Sequence, residues 1–280
     1  WNIDYSDTEA LSDLVEKEGF DYLVPGCTDR SYKSCAVVSQ GRFPGIESPD
    51  IEHGMHNKEK FRTIAEKLNL PIPETQNHNS KSLDYPVIIK PVDSFSGRGI
   101  TVINNRNKKL FDSAIELARK NSATEEYLLE KFVSGELYSH SAFLKNKRAI
   151  KNFFVKEDST VNSFVVDTSR VIFSPPPEMQ RQIINAVEKL ARYLRLKDGL
   201  IHSQFIWDGC NIHLIDRNRR IAGDLYSQLI ELSTGHPYVE NYVRLFLDMP
   251  YKNIEDSDTR IPIMRHTVSV SKEQNFNHIS

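Results

Sequence analysis

The chain has 280 residues, of which 39% are hydrophobic and 26% charged, and its formal net charge is -2. This composition is typical of a globular protein in water, and the length predicts two lobes or one large domain with an inserted subdomain. The near-zero net charge excludes the overall positive field that attracts nucleic acid, and no apolar run approaches the ~20 residues needed to cross a bilayer. We therefore expect neither a nucleic-acid partner nor a membrane span.

The cysteines and the first residues bear on the cellular compartment. Cys27, Cys35 and Cys210 have spacings that match neither a disulfide framework nor a zinc site, as expected in a reducing environment. The first residues lack the basic start and apolar core of a signal peptide. We expect a cytoplasmic protein.

The elements predicted for the first quarter of the chain are two helices and a short strand. Apolar residues recur at helical spacing over 7–20, and a short buried strand is predicted over 21–25, which together indicate an α/β beginning. A second helix is predicted from its cap at Asn57 to Leu68, where two prolines follow. The polar segment 75–82 is typical of a linker into a new subdomain.

A glycine-containing loop over 93–99 lies between two β-rich runs, 85–91 and 100–103. A loop of this kind exposes backbone N–H groups that can surround phosphates. It is neither a Walker loop nor a dinucleotide fingerprint, because both need a helix directly after the glycines. A simple hairpin turn is the alternative interpretation.

Lys90 lies at the end of the first of these runs. An ammonium group is costly to bury there unless an anion is close, so the pattern favours an anion at this point. The alternative is a lysine that extends from the strand end to solvent.

The rest of the chain alternates strands and helices. The predicted elements are a helix over 109–120, a strand over 127–130, antiparallel strands near 138–144, 149–156 and 161–166, a helix over 183–194, a hairpin of 200–207 with 212–216, a helix over 239–247 and a late strand over 261–270.

Polar side chains form a second candidate cluster on the late hairpin. Gln204 lies on one strand, and Asp216, Asn218 and Arg220 take alternate positions from the other. Because side chains alternate along a strand, the last three share one face, so oxygen donors for a hard cation lie beside a guanidinium for phosphate or carboxylate. A solvated, charged strand end is the alternative.

Five motifs, in this order and spacing, resemble the ATP-grasp superfamily, and most closely the branch that holds biotin carboxylase, carbamoyl phosphate synthetase and the carboxylate-amine ligases. They are Asn57-Lys58, 85–99, 129–133, 204–206 and 215–224, and the resemblance covers roughly residues 10–235.

This resemblance implies an α/β, more narrowly α+β, ATP-grasp fold in which two subdomains hold ATP between them. The implied domains are a shortened N-terminal α/β lobe with its connecting helix (1–69), a lid subdomain with the glycine-rich loop (70–131) and a C-terminal subdomain with the metal site (132–280).

The resemblance also implies ATP and Mg2+ (or Mn2+) as cofactors and assigns residues to them. Lys58 and Lys90 correspond to the phosphate-binding lysines, with Lys90 also catalytic, and Arg220 corresponds to the arginine facing the transferred phosphate or the carboxylate. The metal ligands correspond to Gln204, Asp216 and Asn218. The loop that covers the phosphates corresponds to Ser94, Ser96, Gly97, Arg98 and Gly99.

The adenine and ribose contacts are implied in the same way. The hinge comprises Glu130, Lys131, Phe132 and Val133, where backbone groups of Lys131 and Val133 meet the adenine edge and Glu130 accepts from its exocyclic amine. Ile88, Ile206 and Ile215 are candidates for the apolar walls around the base, with core packing as the alternative.

Three positions depart from the pattern of the family. Gln204 stands where the family usually has the first metal-binding acid, and Asp216 replaces a glutamate. Leu137 occupies the slot of the glutamate that holds the ribose, and neighbouring Glu136 substitutes for it only if the local register shifts.

The activity implied is that of an ATP- and Mg-dependent, ADP-forming ligase, which activates a carboxylate as an acyl phosphate and couples it to an amine. Small-molecule carboxylate and amine substrates are the expected partners, and the oligomeric state stays open, a homodimer included. Two alternatives remain: a degenerate homologue that only binds nucleotide, motivated by Gln204 and Leu137, and a bicarbonate-dependent carboxylase or carbamoyl-type subunit.

Overall fold

The computed structural model describes residues 1–78, 82–94, 97–253 and 260–268. The helices are α1 (Thr8–Glu18), α2 (Asp29–Ser39), α3 (Pro49–His56), α4 (Lys58–Lys67), α5 (Lys108–Lys120), α6 (Pro177–Leu194), α7 (Tyr226–Thr234) and α8 (Tyr238–Phe246). The strands are β1 (Val87–Pro91), β2 (Thr101–Ile103), β3 (Tyr127–Lys131), β4 (Glu136–Lys145), β5 (Arg148–Asp158), β6 (Thr168–Val171), β7 (Gly199–Trp207), β8 (Ile212–Asn218) and β9 (Met264–His266).

Four helices make up the first 69 residues, all of which are described. The predicted start of α4 is confirmed, because the Asn57 side chain accepts from the Lys60 backbone N–H and caps the helix. The predicted strand over 21–25 is wrong. That segment has no partner strand, and Tyr22 and Val24 are exposed, so its backbone is not part of any sheet.

The smaller sheet is antiparallel, with the strand order β2-β1-β3 and α5 packed on one face. Val87 and Ile89 of the central strand point into the core with α5. Because side chains alternate along a strand, Ile88 and Lys90 point to the opposite face. The sequence predicted two strands, now β1 and β2, on either side of the glycine loop, and the structure has this order.

The larger sheet has six antiparallel strands in the order β8-β7-β4-β5-β6-β9. One face packs against α6 and α4 in the largest hydrophobic core, and the other packs against α2, α7 and α8. The predicted β7–β8 hairpin is confirmed, and its register places Gln204 opposite Asp216 and His202 opposite Asn218.

Two predicted strands of this sheet differ from the structure. The strand predicted over 161–166 is wrong: the backbone N–H groups of Thr160 and Val161 donate to the Asp167 carboxylate, which holds the segment as a turn before β6. The late strand predicted over 261–270 is confirmed only for β9, and its residues 269–270 lie outside the described residues.

Candidate active site

Lys90, Glu130 and Arg62 form a buried charge cluster behind the smaller sheet. Lys90 Nζ lies 2.5 Å from Glu130 Oε2, and Arg62 Nε donates to Glu130 Oε1. All three residues are at most 5% exposed. Burial lowers the pKa of Lys90 to about 8, against the opposing charge of Glu130. Burial alone would raise the pKa of Glu130, but Lys90 and Arg62 hold it below its ordinary value.

The carboxylate of Glu130 thus contacts two cations, and its contact with the exocyclic amine of adenine stays a prediction. The sequence placed Glu130 in the predicted hinge but gave no sign of Arg62, which is 68 residues away. Arg62 lies one helical turn after Lys58, so both residues belong to the same face of α4.

Lys58 begins α4 and reaches the glycine loop. Its backbone N–H donates to Val92 O at 3.0 Å, and its Nζ donates to Ser94 O at 2.9 Å. Burial lowers the pKa of Lys58, while the charge of Asp216 opposes that shift. The two lysines predicted to bind phosphate, from distant parts of the chain, therefore lie around the same start of the loop.

The glycine loop is anchored at its base and closes against the larger sheet's subdomain. Ser94 Oγ donates to Arg98 O at 3.0 Å, and Arg98 itself is exposed. Gly97 has φ 70°, and a Cβ there would lie 2.6 Å from the Phe164 carbonyl oxygen. Gly99 has φ 73°, and its Cβ would lie 2.8 Å from Pro91 Cγ, so both positions require glycine. Ser96 lies outside the described residues.

The hinge offers one unused backbone donor. The Lys131 N–H donates to Glu74 O and the Phe132 N–H donates to Pro86 O, each at 2.9 Å. Across the described part of the chain, no acceptor pairs with the Val133 N–H. The Lys131 side chain forms an exposed ion pair with Asp84. Two residues are predicted to contact the adenine edge through their backbones. Among the described residues, the Val133 N–H has no acceptor, whereas the Lys131 N–H is already hydrogen-bonded.

The three isoleucines predicted as walls for the base are half-buried: Ile88 on β1, Ile206 on β7 and Ile215 on β8. None of them belongs to the three hydrophobic cores formed by the described residues. Ile215 sits at the β-bulge of the β7–β8 pairing. The three isoleucine side chains are partly exposed and lie outside the cores. This favours the interpretation that they line an open cleft over the interpretation that they pack in a core.

Glu136 lies at the exposed start of β4. Its carboxylate accepts a 2.9 Å hydrogen bond from the Tyr138 hydroxyl and forms an ion pair with Lys156. No register shift occurs here, since Glu136 pairs with Trp207 and Leu137 pairs with Ile206 in regular succession. Leu137 therefore shares a face with Ile206, and Glu136 does not.

Oxygen donors meet at the start of the β7–β8 pairing. Gln204 lies opposite Asp216, and Asn218 follows on the same face of β8. Burial would raise the pKa of Asp216, but Lys58 and Arg217 keep it lowered, so this carboxylate is ionised. Asn218 Oδ1 is buried with no hydrogen-bond donor among the described residues. One carboxylate and two amide oxygens fit a hard cation such as Mg2+.

This donor set contains a single acid, Asp216. Within the described ranges, no group of three or more His, Cys, Asp or Glu side chains could hold a metal ion. His202, which shares a face with Gln204, has one ring nitrogen engaged elsewhere: its Nδ1 shares a 2.8 Å hydrogen bond with Ser141 Oγ, and burial lowers its pKa to about 3.

Glu157 of β5 is a neighbour of the cation site that sequence reasoning missed. Its Oε2 accepts from Gln204 Nε2 at 2.7 Å, and the residue is 5% exposed. Burial raises the pKa of Glu157, against hydrogen bonds from Ser139 and Gln204. Glu157 and Gln204 are 47 residues apart, on strands separated by β4, so no local motif could reveal the contact.

Arg220 follows β8 and is held by the N-terminal helices. Its Nε and Nη2 donate to the two carboxylate oxygens of Asp29 at 2.6 and 2.8 Å, and its Nη1 donates to Ile221 O. Asp29 is the first residue of α2 and was not predicted as a site residue. A bidentate ion pair of this kind fixes the plane of the guanidinium.

A small cavity of about 10 Å³ adjoins Arg220 between α2, α3 and the end of β8. Glu52 lines it, is 8% exposed and accepts no hydrogen bond from the described residues. Burial raises the pKa of Glu52 to about 7, with a small opposing effect from Lys33. Asn218 and Asp29 line the same cavity.

The comparisons with known proteins agree with this architecture. A sequence model described as the ATP-grasp domain matches residues 83–228, just over half of the chain. The carbamoyl phosphate synthase large chain of Clostridium acetobutylicum is 22% identical over 238 residues, which is 81% of this chain and 21% of that protein. The chain spans 14 to 53% of the length of the curated relatives it matches.

Two solved structures share the fold. Phosphoribosylglycinamide synthetase from Anaerococcus prevotii superposes with a TM-score of 0.76 at 15% identity, covering 97% of this chain and 70% of that one. L-amino acid ligase from Bacillus licheniformis superposes with a TM-score of 0.70 at 19% identity, covering 86% of this chain and 60% of that one.

The chain belongs to the ATP-grasp family. The resemblance stated from the five motifs and the mixed α/β fold class are both confirmed. The bounds 1–69, 70–131 and 132–280 and the roles of individual site residues stay predictions. Among the described helices, none combines the length and apolarity needed to traverse a bilayer.

Proposed function

We propose that the protein is an ADP-forming ligase that uses ATP and Mg2+ to activate a carboxylate as an acyl phosphate and couples it to an amine. The observation that carries this proposal is a surplus of buried positive charge. Half-buried Lys58 and buried Lys90, Arg62 and Arg217 surround two carboxylates, Glu130 and Asp216. Buried cations in excess require an anion, and a triphosphate supplies one.

The two arginines support this reading independently of the family motifs. Arg62 Nη1 and Nη2 and all three guanidinium nitrogens of Arg217 are buried without a hydrogen-bond acceptor among the described residues. Arg217 lies over the Phe61 ring and has its nearest carboxylate oxygen, Asp216 Oδ1, 4.0 Å away. The field of both groups adds to that of the lysines at the phosphate side of the cleft.

In the proposed reaction the protein acts mainly by positioning and by electrostatics. Lys58 and Lys90 hold the phosphates, the loop at 97–99 covers them, and the Val133 N–H binds the adenine edge. Bound Mg2+, held by Gln204, Asp216 and Asn218, would neutralise charge on the phosphate oxygens. No protein nucleophile is needed.

Arg220 is proposed to hold the substrate carboxylate or the transferred phosphoryl group. Asp29 takes Nε and Nη2 and Ile221 O takes Nη1, so the guanidinium has a fixed position beside Asn218. A pre-oriented cation costs little reorganisation when the anion arrives. This placement supports carboxylate activation over simple ATP hydrolysis.

Two measurements test the proposal. The first is release of ADP and phosphate from ATP and Mg2+ with pairs drawn from a panel of carboxylic acids and amines. Bicarbonate belongs in the panel, because the similarity to a carbamoyl phosphate synthase favours a bicarbonate-dependent subunit as the second candidate. Silence across the panel would count against both activities.

The second measurement is nucleotide affinity in Lys90→Ala, with Lys120→Ala at an exposed position of α5 as the control. We expect Lys90→Ala to weaken ATP binding about 100-fold, which corresponds to about 2.7 kcal/mol, because a charged phosphate contact is lost. The Lys120→Ala control should bind as the wild type does. Unchanged affinity in a folded Lys90→Ala protein would contradict the site assignment.

A further inference from the structure

The contact between Glu157 and Gln204 bears on the missing metal-binding acid. Gln204 Nε2 donates to Glu157 Oε2 at 2.7 Å, and Glu157 is buried on the adjoining strand β5. Two more distant charges also act on Glu157: that of Arg265 lowers its pKa, and that of Asp224 raises it.

This contact decides which way the Gln204 amide points. The only donor of a glutamine side chain is its NH2 group, and in the structure this group donates to Glu157 Oε2 at 2.7 Å. Nε2 therefore faces Glu157, and the carbonyl oxygen Oε1 faces away from it.

The strand order gives the direction of the freed oxygen. In the sequence β8-β7-β4-β5, Glu157 lies on the β4 side of Gln204, whereas Asp216 lies directly opposite Gln204 on β8. The Oε1 atom is therefore presented on the side of Asp216 and Asn218. Asn218 Oδ1 on that side is buried without a donor, as expected of an oxygen that binds a cation.

We propose that Glu157 is a positioning residue that orients the Gln204 amide so that its carbonyl oxygen is a metal ligand. This inference rests on the metal–nucleotide site of the proposed function. A partner behind a ligand that fixes its orientation is a common feature of metal sites.

Mn2+ binding in the presence of a saturating non-hydrolysable ATP analogue tests the inference without knowledge of the substrates. The free Mn2+ signal in electron paramagnetic resonance gives the dissociation constant for the wild type, Glu157→Gln, Gln204→Glu and the double variant. We expect Glu157→Gln to weaken Mn2+ binding by about 10-fold or more, since the amide loses its fixed orientation.

The exchanged pair gives the sharper result. Gln204→Glu alone places two carboxylates at hydrogen-bond distance in a buried position, so we expect it to bind Mn2+ no better than the wild type. The double variant again joins one donor to one acceptor and should recover wild-type affinity within a few-fold. A residue that is merely structural would not give this rescue.

Controls separate the outcomes. Glu116→Gln removes an exposed carboxylate from α5 and should leave Mn2+ affinity unchanged. Equal affinity in wild type and Glu157→Gln, or a double variant as weak as the worse single one, would overturn the inference alone. A wild type that binds no Mn2+ with nucleotide would overturn the proposed function together with the inference.

Discussion

Two buried glutamates, one in each sheet, are stabilised in different ways. Glu130 of the smaller sheet lies between Lys90 and Arg62, and these cations hold its pKa low in spite of burial. Glu157 of the larger sheet receives a hydrogen bond from Gln204, and burial raises its pKa. Both side chains are removed from solvent, but among the described residues only the first forms ion pairs.

This difference separates the two halves of the candidate site. The cluster around Glu130 has more cations than anions, so it is complementary to an anion such as a triphosphate. The group beside Glu157 joins the amide oxygens of Gln204 and Asn218 to the carboxylate of Asp216, and these oxygens suit a cation. Under the proposed function, a metal–nucleotide complex carries both charges and contacts both groups.

The largest effect on stability is expected from Glu130→Gln, which removes the negative charge that Lys90 and Arg62 share. Removal of one partner from a buried ion pair leaves Lys90 and Arg62 uncompensated, and we expect a loss of about 3–5 kcal/mol in the free energy of unfolding. Urea denaturation measures it, with Glu116→Gln as the exposed control. A loss below about 1 kcal/mol would show that Glu130 does not neutralise these cations.

Much of this site could be predicted from short-range patterns. The cap at Asn57 placed Lys58 at a helix start, and strand alternation placed Asp216, Asn218 and Arg220 on one face, of which the first two belong to β8. The predicted hairpin put Gln204 on the neighbouring strand. These predictions require only the repeat of side chains along one helix or strand, or the pairing of two strands in one hairpin.

The partners of these residues could not be predicted in that way. Glu157, Arg62 and Asp29 contact Gln204, Glu130 and Arg220 across 47, 68 and 191 residues. Such contacts depend on which strands become neighbours and on how α2 and α4 pack, and no local period encodes either.

The missed elements have the same cause. Helices α2 and α3 were not predicted, because polar residues interrupt their apolar spacing, and their buried faces are matched to the larger sheet and to each other. The wrong strand over 21–25 had the composition of a strand but no neighbour with which to pair.

A third buried carboxylate, Glu52, extends the comparison, because the effect of its burial on stability depends on pH. Burial raises its pKa from 4.5 to about 7, so the folded state favours the protonated form. Its contribution to stability is full below pH 4.5 and is lost as the pH rises through about 7. Relative to wild type, Glu52→Gln should therefore gain about 2 kcal/mol in the free energy of unfolding between pH 5 and pH 9.

Urea denaturation of both proteins at pH 5, 7 and 9 measures this gain. Ionisable groups that do not interact with Glu52 cancel in the difference at each pH, so the difference reports Glu52 together with its neighbours Lys33, Asp29 and His56. A difference that does not change with pH would mean that Glu52 stays ionised in the folded protein, through a partner that reaches it in solution.

The smallest effect on the free energy of unfolding is expected for Glu136→Gln. Because this ion pair is exposed, the variant tests whether the larger effects expected above come from burial or from ion pairing alone. Its side chain is 53% exposed, and it pairs with Lys156 at the surface. Exposed pairs of this kind contribute little, so Glu136→Gln should change the free energy of unfolding by less than about 1 kcal/mol, and less again at high salt.

The same variant tests the predicted ribose contact of Glu136: a fall in ATP affinity without a fall in stability would support this contact. Unchanged affinity would leave Leu137, on the face of Ile206, as the neighbour of the sugar.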